Sequence, residues 1–586
     1  MTPVIREGLV FRPMRILDSR RLTGPGLVLD RPGVVLDLEL EPARRAEASA
    51  TWRAAVERLL AAVGWGSQRI RTREFGAGLS LAFTAPPDAL YAAVELNECA
   101  WAATEAALAG GRGPEPEAAV EGLRQMIAAE RNPALLAMRA AAAAHGVTFL
   151  HGEDLVSVGA GRGVRVWPER ELPTPDAVPW HEVHDIPTAL VTGSNGKTTV
   201  VRLLAAMAAA TGRVSGLTST DAVRVGGRTV DEGDYSGPNG ARLLLRQSDL
   251  EVAILETARG GLLRRGLAVG RADVAVVTNV ADDHLGEFGV ETLEALAETK
   301  LLVARAIGPD GRVVVNADDP VLAAAVRNVR APVAWFSFDP ARPALRSGPA
   351  AATLEGGAVT LREGAAQETI AEASAIPLAL GGAARHNLAN ALAALVAARP
   401  LGISAAAARE TLLRFGRDPS DNPGRANLIE LGGVRLLIDY AHNPHGMRAL
   451  AGATAAIPAG RRLVLLGQAG DRGDQAIRDL ARAAMAVRPD QVIVKEMDRY
   501  LRGRAPGEVP GILLDEFRRQ GLPADRVRIG GPELEAVRQA LGWARPGDLL
   551  ILALHQDRGP VMELLDRLRR SGWTAGEPVG QDGRPG

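Results

Sequence analysis

Ala189-Leu-Val-Thr-Gly-Ser-Asn-Gly-Lys-Thr-Thr-Val200 joins an apolar run of strand length to a glycine-bearing turn, and then to the helix-forming stretch Val200 to Ala210. Strand, loop (193–199) and helix in that order are what a polyphosphate site needs. The first backbone N–H groups of a helix have no partners within it, and the helix dipole adds positive potential at the same place. Lys197 can bridge outer phosphates as a compact ammonium, and Thr198 can offer its hydroxyl to a magnesium ion. Gly193, Ser194, Asn195, Gly196, Lys197, Thr198 and Thr199 are therefore the expected nucleotide cradle. The match to the usual GxxxxGK[ST] pattern is incomplete, because Val191 stands where its first glycine would be.

Outward from this loop, strand, loop and helix patterns alternate, which predicts parallel sheets with helices on both faces. Strands are expected at Ala189–Thr192, Val252–Leu255, Val274–Thr278 and Arg312–Val315. A second run follows Pro423-Gly-Arg425, with strands at Val434–Ile438, Leu463–Leu466, Val492–Val494 and Leu549–Leu552. Ahead of both, strand-like runs (Leu27–Asp30, Val34–Leu40) mix with alanine-rich helices. A further helix, a second one over Pro133–His145 and two short strands around Gly159-Ala-Gly-Arg-Gly163 come next. No helix obviously follows that glycine cluster, so it reads as part of a hairpin rather than a nucleotide loop. The proline-spaced run Pro168 to Pro187 reads as a linker. The expected fold is α/β, with an α+β N-terminal domain (1–170), a P-loop parallel-sheet central domain (171–420) and a Rossmann-like C-terminal α/β domain (421–586).

Composition narrows the chemistry. The 586 residues carry a formal net charge of −1, which argues against nucleic acid or an anionic membrane as partner. The lone Cys99 excludes an internal disulfide framework, and its helical neighbourhood assigns it a packing role. No signal-peptide pattern opens the sequence and its apolar stretches are short, so a soluble cytoplasmic protein is expected. A homo-oligomer is compatible with the sequence, which does not fix the oligomeric state. Three lysines stand against sixty-five arginines. Arginine is a wide, permanently charged fork, whereas lysine is compact and can lose its proton when buried. Lys197, Lys300 and Lys495 therefore become candidates for roles arginine cannot fill.

Glu256, at the end of an apolar strand, and His284, just past the next, sit where carboxyl ends of parallel strands converge on one crevice. A carboxylate suits magnesium, and a histidine can complete its coordination. Lys300 closes a helix sixteen residues beyond His284. Burial would lower its pKa, and a neutral amine can add carbon dioxide to become an anionic carbamate ligand.

Together with Asn279, Asn316-Ala-Asp-Asp-Pro320, His386-Asn387, Asn390, Pro423-Gly-Arg425 and Asp439-Tyr-Ala-His-Asn-Pro444, this set resembles the ATP-dependent Mur ligases and their folylpolyglutamate and cyanophycin relatives over about residues 189–575. Thr218-Ser-Thr-Asp221, Ser236-Gly-Pro238, Glu256-Thr-Ala-Arg-Gly-Gly-Leu-Leu-Arg-Arg265 and Lys495-Glu496 with Arg502-Gly-Arg504 look most like the ligase half of cyanophycin synthetase. Met14-Arg-Ile-Leu17 and Leu22-Thr-Gly-Pro25 resemble its opening, and 119–160 the stretch that leads into its ATP-grasp unit. Fewer than thirty residues separate Gly163 from Ala189, so no such unit lies between them.

The resemblance implies ATP-driven phosphorylation of a carboxylate, then attack by an amino-acid amine on the acyl phosphate. It implies catalytic roles for Lys197, Glu256, His284 and Lys300. One magnesium would sit on Thr198 and Glu256, and a second on His284 and carbamylated Lys300. His386 and Asn387 would meet adenine; Arg425 and Asp439 would meet phosphate and ribose. Ser219, Thr220, Arg259, Arg264, Arg265, His442, Lys495, Arg502 and Arg504 are candidates for the substrates, a small-molecule or peptide carboxylate and an amino acid. A cyanophycin-related acceptor joined to a basic amino acid is the leading expectation. A peptidoglycan-precursor or polyglutamate ligase, and a non-catalytic nucleotide-binding regulator, stay open.

Overall fold

Seven parallel strands form the middle of the chain's largest sheet, and the phosphate loop leaves the third of them. The computed structural model describes residues 14–111, 119–152, 154–282 and 285–580; His284 and Asp283 lie outside the described residues. The parallel strands lie in the order Ser215–Thr218, Val252–Glu256, Thr188–Thr192, Ala272–Val277, Ile307–Asn316, Val333–Ser337 and Ala350–Glu355. Antiparallel strands at both edges extend the sheet to eleven. Strand alternation sends successive side chains to opposite faces. Ala189 and Val191 enter the core beneath the helices Lys197–Ala209 and Arg385–Ala398, while Leu190 enters the core on the other side. From Thr188–Thr192 the chain first builds toward one edge and later toward the other. That reversal opens a crevice at the carboxyl ends of the central strands.

The C-terminal sheet has six strands, ordered Asn427–Leu431, Val434–Asp439, Leu549–Ala553, Arg462–Leu466, Gln491–Lys495 and Val527–Gly531, and only the first pair is antiparallel. Separate apolar cores fill its two faces. All eight expected strands of the two α/β regions are present.

The N-terminal region departs from expectation at Leu27–Asp30 and along the run from Pro168 to Pro187, where the expected linker instead packs Val178 and Val183 into one core with Leu135 and Met138. Its four-stranded antiparallel sheet (Arg15–Leu22, Gly33–Glu39, Gly78–Thr84, Ile70–Phe75) packs against the helices Pro42–Ala62 and Leu90–Leu108. Leu27–Asp30 is not a strand: the Gly26 N–H donates to the Leu29 carbonyl at 2.8 Å, closing a turn that buries Leu29 to 2% exposure. Phe149–Gly152 and Leu155–Val158 form the expected hairpin, and the glycine cluster turns from it into a third strand, Arg165–Pro168. Cys99 lies part-buried on a helix, and burial with nearby Glu95 and Glu98 pushes its thiol up, away from nucleophilic use. No helix among the described residues is long and apolar enough to cross a membrane.

The N-terminal sheet is fastened to the central domain beside the crevice. The Thr23 N–H donates to the Arg265 carbonyl at 2.8 Å, the Leu267 N–H to Pro25 at 2.7 Å, and Arg73 to the Gly289 carbonyl at 3.0 Å. Arg20 donates to the Leu263 carbonyl at 2.9 Å and pairs with Asp37 at 2.5 Å. Removing one partner of a buried pair strands the other charge, at a cost of about 3–5 kcal/mol. Asp37 is 1% exposed. Arg20→Ala is therefore expected to lower the first thermal unfolding transition in calorimetry and to speed proteolysis between the N-terminal and central domains; an unchanged transition would remove this pair from the seam.

Candidate active site

The phosphate loop is seated by close approach. Gly193 has φ +146°, and a Cβ there would lie 1.8 Å from Thr278 Oγ1. Gly196 has φ +87°, and a Cβ there would lie 2.2 Å from Asn390 Oδ1. Only glycine meets both demands. Val191, at the position of the missing first glycine, is instead a core residue of the strand, and Gly193 makes the tight turn. Asn279 clamps the loop by accepting from the Asn195 N–H and donating to the Asn195 carbonyl, both at 3.0 Å. Ser194 Oγ accepts from the Ala281 N–H at 3.0 Å. The Lys197 ammonium folds back onto the Gly193 and Ser194 carbonyls at 3.1 and 3.3 Å.

Beside the loop, Glu256 is 2% exposed and its Oε2 accepts from Thr198 Oγ1 at 2.9 Å. Its Oε1 is buried without a hydrogen-bond partner. Burial raises its pKa, and Lys197, Thr198 and Arg425 pull the other way. An unsatisfied carboxylate oxygen beside a threonine hydroxyl is a donor set that fits a hard, oxygen-preferring cation such as magnesium. Lys300 is 3% exposed and lines the neighbouring cavity. No group of three or more His, Cys, Asp or Glu side chains among the described residues could hold a metal ion.

Two cavities meet at the loop. The first, of about 310 Å³, runs from the loop past Phe336 and Phe338 to His386 and Asn387, with Arg425, Asp439 and Tyr440 as its C-terminal wall. His386 Nδ1 is buried without a partner, and burial holds the imidazole neutral, which suits a ring-to-ring hydrogen bond with a purine. The Asn387 amide donates to the Leu378 carbonyl at 3.0 Å, so part of its capacity is already used. Asp439 accepts from the Ala426 N–H at 2.7 Å. Arg425 lies over the Tyr440 ring and reaches Thr198 Oγ1 at 3.5 Å.

The second cavity, of about 830 Å³, brings together Thr220, Arg259, Arg264, Arg265, Lys300, His442 and Arg502. Lys197, Thr220, Tyr440 and His442 line both. Lys197 therefore stands at the junction of the two cavities. Three substrate candidates do not line it. Ser219 is fully buried, its hydroxyl bonded to the Asp221 and Ala222 backbone. Arg504 donates to the Gly470 and Arg472 carbonyls and pairs with Asp474 and Glu508, bracing the loop that carries Arg472. Lys495 is paired to Glu533 with no side-chain exposure.

Sequence reading missed the residues that join the domains. Asp221 accepts from Arg202 at 3.0 Å and from Arg558, of the C-terminal domain, at 2.7 Å. Asn195 Oδ1 accepts from Asn443 at 3.1 Å, and its amide meets His445 at 3.0 Å. Burial alone would raise the Asp221 carboxyl, but Arg425, Arg558 and Arg202 outweigh it and hold it below its ordinary value. A depressed folded-state pKa gives stabilisation that is present above the unfolded value of about 3.9 and is lost as pH falls through the folded one. The closed arrangement should thus persist to about pH 4. Asp221→Asn should lengthen the mean distance between fluorophores on the central and C-terminal domains at neutral pH; an unchanged distance would refute the tie.

The central region matches the Mur ligase middle domain over residues 191–398, and the C-terminal region matches the Mur ligase glutamate ligase domain over 424–553. Cyanophycin synthetase of Synechocystis is 39% identical over 411 residues, covering 68% of this chain and 47% of the relative. That of Crocosphaera subtropica is 40% identical over 371 residues, 63% of this chain and 42% of the relative. The chain thus spans about half the length of these curated relatives. UDP-N-acetylmuramoylalanine–D-glutamate ligase of Pelotomaculum thermopropionicum is 30% identical over 63% of this chain and 70% of its own length. The structure of E. coli FolC in complex with DHPP and ADP shares the fold, with a TM-score of 0.50 and 24% identity over 66% of this chain and 89% of that one. With the loop, the buried Glu256 and the second α/β domain arranged as described, the chain belongs to the Mur ligase family.

Proposed function

We propose that the protein is an ATP-dependent amide ligase. The terminal phosphoryl group of ATP passes to an oxygen of a substrate carboxylate, giving an acyl phosphate and ADP. An amino-acid amine then attacks the acyl carbon; phosphate leaves, and the amine gives up a proton as the C–N bond forms. The observation that carries this reading is the shared wall of Lys197, Thr220, Tyr440 and His442, which sets the phosphate end of one cavity against a second, substrate-sized one. Lys197 and the loop N–H groups are placed to steady charge on the moving phosphoryl group, where such catalysis gains most.

Thr198 and Glu256 would hold magnesium, with carbamylated Lys300 and His284 at a second site; bound there, the ions would neutralise phosphate charge. The second cavity is lined by both signs, with Arg264, Arg265 and Arg472 beside Asp234 and two ion pairs, Arg259 to Glu287 at 2.7 Å and Arg502 to Asp471. That mixture suits an acidic acceptor, such as an aspartyl or glutamyl peptide, and a basic amino acid. The same pairing is what the likeness to the cyanophycin synthetases favours.

The test is ADP release with mass spectrometry of products, using Mg-ATP and a matrix of aspartyl and glutamyl peptides, free amino acids and a muramyl-peptide nucleotide. A product at the summed mass less water is expected, and Lys197→Ala should reduce its rate by about 10²–10³-fold. ATP turnover without any condensed product would defeat the ligase reading. Lys300→Ala should lose most of the rate and recover part of it with added formate or acetate. Absence of that recovery, with folding intact, would remove the carbamate.

A further inference from the structure

Lys495 ends the strand Gln491–Lys495, and its ammonium is fully engaged. It contacts the Glu533 carboxylate, the Ala553 carbonyl at 2.5 Å and His555 Nδ1 at 2.9 Å. Glu533 also accepts from the backbone N–H groups of His555, Gln556 and Asp557 at 2.8, 3.1 and 2.8 Å. It opens the helix Glu533–Trp543, where an anion is favoured. Burial would raise the Glu533 carboxyl, but Lys495 and these amides hold it below its ordinary range. Burial lowers the Lys495 pKa from its ordinary value, against the pull of the Glu533 anion at contact distance. A neutral amine would leave the Glu533 anion without its counter-ion, so the contact selects the ammonium form, whose three hydrogens match the three partners of Nζ.

Two donor hydrogens then serve the Glu533 and Ala553 oxygens, and the third meets His555 Nδ1. A nitrogen that accepts a hydrogen bond carries no proton, so the ring proton sits on Nε2. His555 lines the second cavity, and its Nε2 is shielded from solvent without a completed hydrogen bond, the Ala441 carbonyl being a nearby acceptor that favours a proton on the ring. The Tyr440 ring meets the imidazole edge-on at 4.9 Å and fixes its plane.

We propose that Lys495 is a positioning residue that fixes the His555 proton on Nε2, and that His555 donates this N–H to an oxygen of the substrate in the second cavity. His555 then cannot be the base that takes a proton from the attacking amine. Arginine could not replace Lys495, because its planar fork cannot aim three hydrogens from one atom. The substrate half of this inference rests on the ligase reading; the placement of the proton does not.

The test uses the full chain labelled with ¹⁵N-histidine, with His555→Gln assigning the resonance among nine histidines. Long-range ¹H–¹⁵N correlation should show the Nε2–H tautomer, uncharged from pH 5.5 to 8. An aspartyl dipeptide or L-arginine, added in turn with Mg-ADP, should shift the Nε2 signal. An Nδ1–H tautomer, titration to imidazolium in that range, or no shift with either compound would overturn the proposal. His555→Phe should raise KM for one substrate about tenfold with smaller change in kcat, and His555→Gln, which keeps a donor, should recover part of it. Equal KM in all three proteins would also overturn it. Turnover that yields no condensed product defeats the ligase reading and leaves the tautomer result to stand alone.

Discussion

Glu256 is an anion-forming group held at 2% exposure, and a charge in that position needs compensation from elsewhere in the molecule. Lys197, from the phosphate loop, and Arg425, from the C-terminal domain, both act on it. The hydrogen bond from Thr198 fixes one carboxylate oxygen and so orients the other. Neither α/β domain alone surrounds this carboxylate. Its ionisation is therefore coupled to how the domains sit together, which links the electrostatics of the site to large-scale motion.

Other contacts run along the same seam. Asp221 ties the helix after the loop to Arg558, and Asn195 reaches Asn443 and His445. The three contacts to the C-terminal domain each join residues more than two hundred positions apart. The N-terminal sheet holds the opposite flank by bonding to backbone around Leu263–Leu267 and Gly289. Arg264 and Arg265, which line the second cavity, are thus supported from behind by a separate domain. Hinge movement of the C-terminal domain can alter the cavity's far wall while this flank stays braced.

Much of the fold was legible because alternation is local. Ala189–Thr192, the glycine turn and the helix after it announce themselves within a dozen residues, as do the strands that repeat the pattern. Leu27–Asp30 misled because an apolar run says nothing about the turn that Pro25, Gly26 and Pro32 impose. Lysine scarcity drew attention to Lys495 and set it against a substrate, whereas the fold buries it against Glu533 and His555, whose nearness is a property of the folded sheet. Ser219 and Thr220 are adjacent and look alike as sequence, yet one caps a turn and the other faces both cavities. Asp221 could not be singled out, because its arginines lie 19 and 337 positions away. Among so many arginines, no pairing stands out before folding.

That preference for arginine has a practical consequence for surface chemistry. Guanidinium groups do not react with acylating reagents at neutral pH, and Lys300 and Lys495 are 3% and 1% exposed. Lys197, by contrast, is only half-buried and lines both cavities. Besides the α-amino group, an amine-selective label on the folded protein would therefore reach first the side chain at the junction of both cavities.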